Sequence, residues 1–241
     1  MVEITTSNLR ETVLTLGASF FGVAYLESGQ ELIQQLGGEL TSGFPRAVSI
    51  GVALPFAIVD RLERHEDRRV ALAYRSHGYD TINVRLDQLA SRVTSVLQAD
   101  GHRAFPIAAS QTIDGERHYS LFSHKLAAHL AGLGWIGKSC LLVTPQVGPR
   151  VRWVTVLTEA PLETGRPMDE RCGTCNVCVD ACPSRAFTGR PFREDEPREA
   201  RFDVTKCYAY QRREREHLDS ILCGMCLYVC PYGRKRSNVS A

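Results

Sequence analysis

The strongest constraint on the fold is a cysteine-rich region in the last third of the chain. It begins with CGTCNVCVDAC, which runs from residue 172 to 182 and is followed directly by Pro183. A second set contains Cys207 and then the stretch CGMCLYVC, residues 223–230, which is followed by Pro231. Together the two sets supply eight cysteines, so this part of the chain is expected to fold around whatever the sulfur atoms bind.

The spacing of the first set is Cys-x2-Cys-x2-Cys-x3-Cys-Pro. Bacterial ferredoxins use this run, and its fourth cysteine ligates a different cluster from the first three. We therefore predict two [4Fe-4S] clusters with crossed ligands. The predicted ligands of one cluster are Cys172, Cys175, Cys178 and Cys230, and those of the other are Cys182, Cys207, Cys223 and Cys226.

Zinc and disulfides are the alternative uses of these cysteines. Four-cysteine zinc sites show two Cys-x2-Cys pairs. This chain instead has a Cys-x2-Cys-x2-Cys-x3-Cys-Pro run followed later by a second Cys-x3-Cys-Pro. Disulfides need an oxidising compartment, and the N-terminal MVEITTSNLRETV lacks the layout of a secretory signal. No apolar run in the sequence approaches the ~18 residues of a membrane helix. We expect reduced, metal-bound thiols in a cytoplasmic protein with no membrane partner.

Composition allows a sizeable hydrophobic core and indicates no nucleic-acid partner. Of the 241 residues, 44% are hydrophobic and 23% are charged, which is ordinary for a soluble globular protein. The formal net charge of +2 is too close to neutral to indicate binding to nucleic acid by itself.

Strands and helices alternate in the first two thirds of the chain, which predicts an α/β or α+β sandwich. Thr6 or Ser7 is predicted to cap a helix that runs to about Leu16, and hydrophobic periodicity and cap residues predict further helices over residues 30–36, 81–98 and 123–130. Apolar runs predict strands over residues 20–26, 47–54, 103–108, 140–144 and 151–157. Turn residues become frequent at 161–166. We therefore predict an α/β sandwich domain over residues 1–162 and a ferredoxin-like domain with two clusters over residues 163–241.

A glycine-rich stretch, GLGWIGK at residues 132–138, matches the pattern G-x-G-x-x-G. In dinucleotide-binding proteins that pattern follows a strand and opens a helix. Here a predicted helix precedes it and a predicted strand follows, which argues against a nicotinamide cofactor. Two interpretations stay open. The glycines allow a bulky ligand to approach the backbone beside Lys138, or the stretch is a helix-to-strand turn with a solvated lysine.

Two smaller features stand outside these assignments. Cys140 is a ninth cysteine, at the predicted start of a strand, and is interpreted as a small buried hydrophobe. Residues 234–236 form a short basic tail, interpreted either as a disordered tip or as a docking site for an acidic redox partner.

The stretch AGLGWIGK at residues 131–138, with the helix before it and LLVTP after it, resembles epoxyqueuosine reductase. The resemblance continues in LGASFFGVA, in AVSIGVALP, around Tyr79 and Asp80, and through both cysteine sets. That family is similar to reductive dehalogenases. The resemblance implies a nitroreductase-like domain that binds a corrinoid, fused to a two-cluster ferredoxin domain. It also implies reduction at a base-off cobalamin that the clusters supply with electrons.

The resemblance further implies which residues surround the cofactor. The candidates for cofactor binding are Tyr119, Ser120, Gly132, Gly134, Trp135, Gly137 and Lys138. The resemblance places the catalytic aspartate of the family at His118. An imidazole titrates near pH ~6.5, so His118 is one candidate proton donor, and Asp114 on the same loop is another. The alternatives are a cobalt ligand or a structural histidine for His118, and a solvated turn for Asp114.

The expected function is therefore an iron–sulfur oxidoreductase that passes electrons to a bound corrinoid and on to a small substrate. Replacement of the aspartate argues against epoxyqueuosine in tRNA as the substrate. The chain also ends soon after Cys230, where the family continues with a segment that helps to hold tRNA. The alternatives are a protein that reduces the corrinoid of another protein, and a reductase that uses FMN. A ferredoxin or flavodoxin is the expected electron donor.

Overall fold

The structure is a computed structural model that describes residues 4–116, 118–218, 220 and 222–234. The basic tail at Lys235 and Arg236 lies outside the described residues, as does Arg117 at the end of a polar loop. Helices and strands both contribute, so the mixed α+β class is confirmed. Within the described part of the chain, no helix combines the length and the apolar character needed to cross a bilayer.

The elements are labelled in chain order. The α-helices are α1 (Thr6–Thr15), α2 (Gln30–Gly37), α3 (Phe56–Val59), α4 (Arg68–Ala73), α5 (Thr81–Ala99), α6 (His124–Leu130), α7 (Val177–Asp180), α8 (Val204–Leu218), α9 (Met225–Tyr228) and α10 (Pro231–Arg234). The strands are β1 (Phe20–Tyr25), β2 (Arg46–Ala53), β3 (Ala104–Ile107), β4 (Trp135–Ile136), β5 (Leu142–Val143) and β6 (Val151–Thr158). A π-helix, Tyr74–Asp80, connects α4 to α5. The strands and longer helices predicted before residue 162 are present, with ends that differ by a few residues.

The chain forms two compact units that are both discontinuous in sequence. The first unit contains the chain up to Ala53, Asn83–Gly134 and Arg152–Met168. The second unit contains Leu54–Ile82, Trp135–Val151 and the chain from Asp169 onward. It thus holds all eight predicted cluster ligands together with two earlier segments. The domain boundary between residues 162 and 163 stays a prediction.

An antiparallel sheet in the order β1-β2-β6-β3 organises the first unit. Nearly every residue of β2 and β6 is buried. Continuous burial of this kind occurs when both faces of a strand are covered, because successive side chains point to opposite faces. The central strands therefore lie between two layers.

Two different hydrophobic layers cover the sheet. Ala24 of β1 and its partner Ala47 of β2 pack in one cluster with Leu126 and Leu130 of α6. The neighbouring pair, Val23 and Val48, is also buried and points to the opposite face because side chains alternate along strands. The sandwich predicted from the alternation of elements is thus built on a four-stranded sheet in which β6 lies between β2 and β3.

The first helix begins with a capping box one residue earlier than the sequence suggested. The Thr5 hydroxyl accepts the Asn8 N–H, and the Asn8 side chain accepts the Thr5 N–H. The cap was predicted at residue 6 or 7, and that placement is wrong because the reciprocal bond needs Asn8 at the third helical position.

In the second unit, the predicted strand at residues 140–144 shortens to β5. Cys140 has a φ of 54° and its N–H donates to the Gly137 carbonyl over 2.8 Å. This closes a tight turn between β4 and β5, which pair through Trp135 with Val143 and through Ile136 with Leu142. Cys140 is buried, as predicted, but it lies in the turn rather than at a strand start.

His124 is fixed in the first unit by two hydrogen bonds. Its Nε2 lies 3.0 Å from the Ala108 carbonyl, and its Nδ1 lies 2.8 Å from the Thr155 hydroxyl. A carbonyl only accepts, so Nε2 carries the proton and Nδ1 accepts from Thr155 in the neutral ring. Burial lowers the pKa of His124 to about 4, with a smaller contribution from the charge of Arg152. The Ala108 bond and the charge of Asp87 oppose that shift.

We predict that protonation of His124 destabilises the first unit in acid. The pKa is depressed on folding, so the stabilisation is complete above about pH 6.5 and is lost as the pH falls towards about 4. The expected loss for this half-buried ring is on the order of 2 kcal/mol. His124→Gln, which does not titrate, should lose less stability than the parent between pH 7 and 4.5 in urea unfolding. Equal losses in the two proteins would contradict the prediction.

Candidate iron–sulfur centre

The first cysteine run lies in a tight loop followed by a short helix in the second unit. The Cys175 N–H donates to the Cys172 carbonyl over 2.9 Å, which closes the loop. α7 carries Cys178 and ends before Cys182, whose N–H donates back to the Val179 carbonyl. The short gaps therefore present three sulfurs from one loop, while Cys182 leaves the helix at its far end.

The second cysteine set lies on two helices and the connection after them. Cys207 is in the first turn of α8, Cys226 is on α9, and Cys223 precedes Gly224, the N-cap of α9. Cys230 is followed by Pro231, the first residue of α10. Proline suits that position because its missing N–H has no helical partner there and its φ is already helical.

Three other cysteines, one of them remote in sequence, act electrostatically on the Cys178 thiol. Burial raises the pKa of the Cys178 thiol to about 11, and Cys172, Cys230 and Cys175 contribute further in that order. Burial also raises the pKa of Cys230, with a contribution from Cys175. We call Cys172, Cys175, Cys178 and Cys230 the first thiol group.

The remaining four cysteines interact in the same way. Burial raises the pKa of Cys207 to about 11, and Cys182 adds to it. Burial raises the pKa of Cys223 to about 12, with contributions from Cys207 and Cys182. Cys226 is shifted upward by burial and then by these three thiols, and Cys178 of the first group has a smaller effect. We call Cys182, Cys207, Cys223 and Cys226 the second thiol group.

The half-buried thiols have the chemistry that a four-iron cluster requires. Burial favours the neutral thiol, whereas a metal ligand is a thiolate, so bound iron would have to supply the compensating charge. In the described residues, no three His, Cys, Asp or Glu side chains converge closely enough to hold a single metal ion. A cubane carries its four thiolates on four separate irons, so its ligands need not converge on one point.

A buried lysine and a tryptophan line the first thiol group. The Lys138 ammonium donates to the Gly173 carbonyl over 2.8 Å and to the Asn176 side chain over 3.0 Å, both inside the first cysteine run. Burial raises the pKa of Cys172, and the Lys138 backbone N–H and the Trp135 indole act in the opposite direction. Lys138 therefore holds the cysteine loop, and it is 8% exposed rather than solvated.

Trp135 carries a buried polar atom that fits a cluster. Its Nε1 makes no hydrogen bond of regular geometry with any described residue. The same indole nevertheless lowers the pKa of Cys172, so its N–H lies near that sulfur without full alignment. Buried donors in proteins nearly always have acceptors. A sulfur of a bound cluster would supply one here.

The second thiol group has uncharged donors. The Gln211 side chain donates to the Cys207 sulfur over 3.4 Å, and the Met225 backbone N–H lowers the pKa of Cys223. Tyr210 bonds to His65 over 3.0 Å, and burial and then Cys223 raise the pKa of its phenol.

At two positions the glycine-rich stretch is explained by contacts within the chain. Gly132 has a φ of 74°, and a β-carbon there would lie 2.4 Å from the Arg166 carbonyl oxygen in the first unit. In the second unit a β-carbon on Gly137 would lie 2.9 Å from Val143 and 3.3 Å from the Cys172 sulfur. The space freed by both glycines is therefore filled by protein atoms, and neither forms a cradle for a planar cofactor.

The loop with the catalytic candidates is a small hairpin in the first unit. Asp114 and Tyr119 exchange backbone hydrogen bonds, and the Asp114 carboxylate accepts the Glu116 N–H. His118, half-buried with a φ of 52°, lies in the turn of this hairpin. Ser120 follows it and is also half-buried.

The cofactor-binding candidates divide between the two units. Gly134 belongs to the first unit and is buried, with its carbonyl 3.2 Å from the His129 ring. Trp135, Gly137 and Lys138 belong to the second unit. The role of these residues in binding a cofactor stays a prediction.

Comparison with known proteins supports the iron–sulfur assignment. Residues 171–233 match the family described as a 4Fe-4S double cluster binding domain. Curated epoxyqueuosine reductases match over more of the chain. The protein from Lactococcus garvieae (strain Lg2) is 28% identical over 200 residues, which is 78% of this chain and 51% of the relative. That from Pseudomonas aeruginosa is 32% identical over 165 residues, which is 64% of this chain and 40% of the relative.

The chain resembles epoxyqueuosine reductases, as the sequence motifs indicated. It spans about half the length of the curated relatives it matches. Among solved structures, a catabolic reductive dehalogenase covers 95% of this chain with a TM-score of 0.69 at 20% identity, over 32% of its own length. An epoxyqueuosine reductase with a modified tRNA stem loop covers 95% with a TM-score of 0.64 at 20% identity, over 65% of its length. The fold is therefore shared with both groups.

The crossed division of the thiols leads to a prediction about single variants. Cys182→Ser should impair the same cluster as Cys226→Ser and leave the cluster impaired by Cys178→Ser intact, because residues 178 and 182 belong to different thiol groups. Each variant should keep about four of eight irons. Electron paramagnetic resonance of the reduced proteins should show one signal missing in Cys178→Ser and the other missing in Cys182→Ser. If both variants lose the same signal, the wiring is wrong.

Proposed function

We propose that the chain is an iron–sulfur oxidoreductase with two [4Fe-4S] clusters in its second unit. In this proposal the clusters supply electrons to a corrinoid bound by a nitroreductase-like domain, and a small molecule is the final electron acceptor. A ferredoxin or flavodoxin is the proposed electron donor. The observation that carries the proposal is the grouping of eight half-buried thiols into two sets of four, within a region that matches a 4Fe-4S double cluster domain.

The residues around the thiols are suited to hold the clusters. When bound, the clusters supply and accept single electrons. The Lys138 ammonium ties the loop that carries Cys172 and Cys175, and Gly137 lets the backbone approach the Cys172 sulfur. A loop held at Gly173 and Asn176 keeps its cysteines in place, which favours electron transfer without rearrangement.

The corrinoid is proposed from the resemblance and from one neighbour. A reductive dehalogenase described as B12-dependent covers 94% of this chain with a TM-score of 0.67 at 20% identity, over 31% of its own length. Gly132 and Gly137 do not support the proposal, since the chain fills the space beside them. We therefore assign no step to a corrinoid, and FMN stays the alternative cofactor.

His118 supports a substrate other than epoxyqueuosine. The resemblance places it where the family has its catalytic aspartate, and a histidine donates its proton at a higher pH than a carboxylic acid does. One relative in the comparison was solved with an epoxyqueuosine-modified tRNA stem loop. That RNA is consequently the substrate to be tested against the proposal of a small molecule.

The second candidate function is electron delivery to another protein. Such a protein would need both clusters but no substrate site of its own. The replacement of the aspartate by His118 favours this candidate, whereas a complete sandwich in the first unit favours an enzyme. The two differ in whether the purified chain binds a second cofactor.

We predict about eight irons and eight acid-labile sulfides per chain after anaerobic preparation, because two cubanes contain that number. Metal and sulfide analysis measures both. Stoichiometric zinc without iron would exclude the proposed function. Cys140→Ser is the matched control, since Cys140 lies in neither thiol group and its loss should leave the iron content unchanged.

We also predict that the reconstituted chain binds cobalamin, seen as a change in the cobalamin absorption spectrum on titration. With dithionite as reductant, an epoxyqueuosine-modified tRNA stem loop should remain unreduced. Turnover of that RNA would overturn the small-molecule assignment. Co-purifying FMN without cobalamin binding would favour the flavin reductase. An intact pair of clusters with neither cofactor would favour the electron-delivery protein.

A further inference from the structure

The two thiol groups differ in the charges that surround them. The first group has the ammonium of Lys138 against its cysteine loop, and the guanidinium of Arg150 lies against Gly233, whose N–H donates to the Cys230 carbonyl. Both side chains are buried, with 8% and 3% of their surface exposed. Buried charges interact strongly because little water screens them. A cluster in this group would therefore experience two fixed positive charges.

Lys138 is the less compensated of the two cations. Arg150 forms an ion pair with Asp60 over 2.7 Å, whereas the Lys138 ammonium bonds only to a carbonyl and to an amide oxygen among the described residues. Burial of an ammonium with neutral partners is costly unless a negative charge lies near. Four thiolates and their cluster carry such a charge, so the lysine and the cluster would stabilise each other.

N–H donors add to the positive potential at the first group. The buried Trp135 Nε1–H has no acceptor of regular geometry among the described residues, and the backbone at Gly137, next to the Lys138 N–H, lies close to the Cys172 sulfur. The backbone N–H groups of Tyr232 and Gly233 lower the pKa of Cys230. Glu170 opposes them, but its carboxylate is partly exposed and accepts the Cys172 N–H over 2.6 Å.

Among the described residues, the side chain that donates to a sulfur of the second group is uncharged. Gln211 and the Met225 N–H are neutral donors, and the anionic Glu214 acts on Cys223. Cys226 is affected by burial and by other thiols. A cluster at the second group would thus lie beside the neutral amide of Gln211, where the first group has the buried ammonium of Lys138 against its cysteine loop.

We propose that the first thiol group holds its cluster at a higher reduction potential than the second, and that Lys138 and Trp135 set this difference. The inference rests on the proposed function, since it requires both clusters. Reduction adds one negative charge to a cluster, which nearby cations and N–H donors stabilise. One electron accepted from a low-potential donor at the second group would move to the first. The second cluster is then oxidised by one electron and the first is reduced by one, with no bond or proton transferred.

The test is an anaerobic redox titration of the reconstituted chain, followed by electron paramagnetic resonance. Cys178→Ser assigns the signals, because it should leave only the second cluster. In the parent, the signal of the first cluster should develop at higher potential. Both clusters reduced at the same potential, or the second reduced first, would overturn the proposal.

Two substitutions test the named residues. Lys138→Met removes the charge. At a fixed potential it should lower the ratio of reduced to oxidised first cluster about tenfold, which corresponds to a decrease of about 59 mV in the reduction potential of a one-electron couple. Lys138→Arg should restore most of the ratio. Trp135→Phe keeps the ring but removes the N–H, and should lower the ratio about threefold. The second cluster should not shift in any of the three.

Lys206→Met is the matched control. Lys206 precedes Cys207 and bonds to Asp203, and its side chain is 62% exposed, so water screens its charge. Its removal should leave both potentials unchanged. If it shifts the second cluster as far as Lys138→Met shifts the first, burial of the lysine is not the cause.

The outcomes separate the inference from the proposed function. Absence of iron would contradict the proposed function itself. Eight irons with an unchanged first potential in Lys138→Met would contradict the role of Lys138 alone. If Lys138→Met loses the first cluster, the proposal is tested by the order of reduction in the parent and by the ratio of reduced to oxidised first cluster in Trp135→Phe. An unchanged ratio in Trp135→Phe contradicts the role of Trp135.

Discussion

Eight half-buried thiols impose the main constraint on the second unit. Each must lose a proton to bind iron, and burial resists that loss by raising the pKa of groups such as Cys178 and Cys223. Mutual repulsion between neighbouring thiolates raises the cost further. The arrangement is therefore favourable only when metal charge is present, and folding of the cysteine region and binding of the metal are expected to be coupled. The loops around the cysteines are short, which limits how far the thiols can separate to relieve the repulsion.

The contacts of Lys138 offset part of this constraint. Its ammonium donates hydrogen bonds to the carbonyl of Gly173 and the side chain of Asn176, two residues between the first three cysteines. A tethered loop loses less conformational freedom when the cluster forms. The same contact brings positive charge to the site where negative charge will accumulate. One side chain thus serves geometry and electrostatics together, and replacing it affects both unless charge and length are varied separately.

Local patterns predicted much of the fold because they report interactions between near neighbours. The apolar period of α5 and the continuous hydrophobic run of β2 gave correct elements, since each reflects burial of one element. The π-helix at Tyr74–Asp80 was not predicted. Its hydrogen bonds span one residue more than those of an α-helix, and YRSHGYD has no period that distinguishes the two. For α8 the sequence predicts only a solvated helix face at residues 212–216, where Arg and Glu alternate, because the rest of its polar sequence shows little apolar periodicity.

The parts of the candidate site that depend on near neighbours could likewise be predicted from the sequence, and the parts that depend on distant residues could not. Spacing within each cysteine set could be read from the sequence, because the ligands of one loop lie a few residues apart. The glycine-rich stretch could not be read in that way, since its partners are distant in sequence. Arg166 lies 34 residues after Gly132, and Cys172 lies 35 residues after Gly137. A glycine motif indicates only that a β-carbon does not fit at that position, whereas the structure identifies the atom that would clash with it. At these two positions that atom belongs to the chain, so the glycines are evidence for close packing, and a cofactor in the first unit has to be sought through other residues such as those of the His118 hairpin.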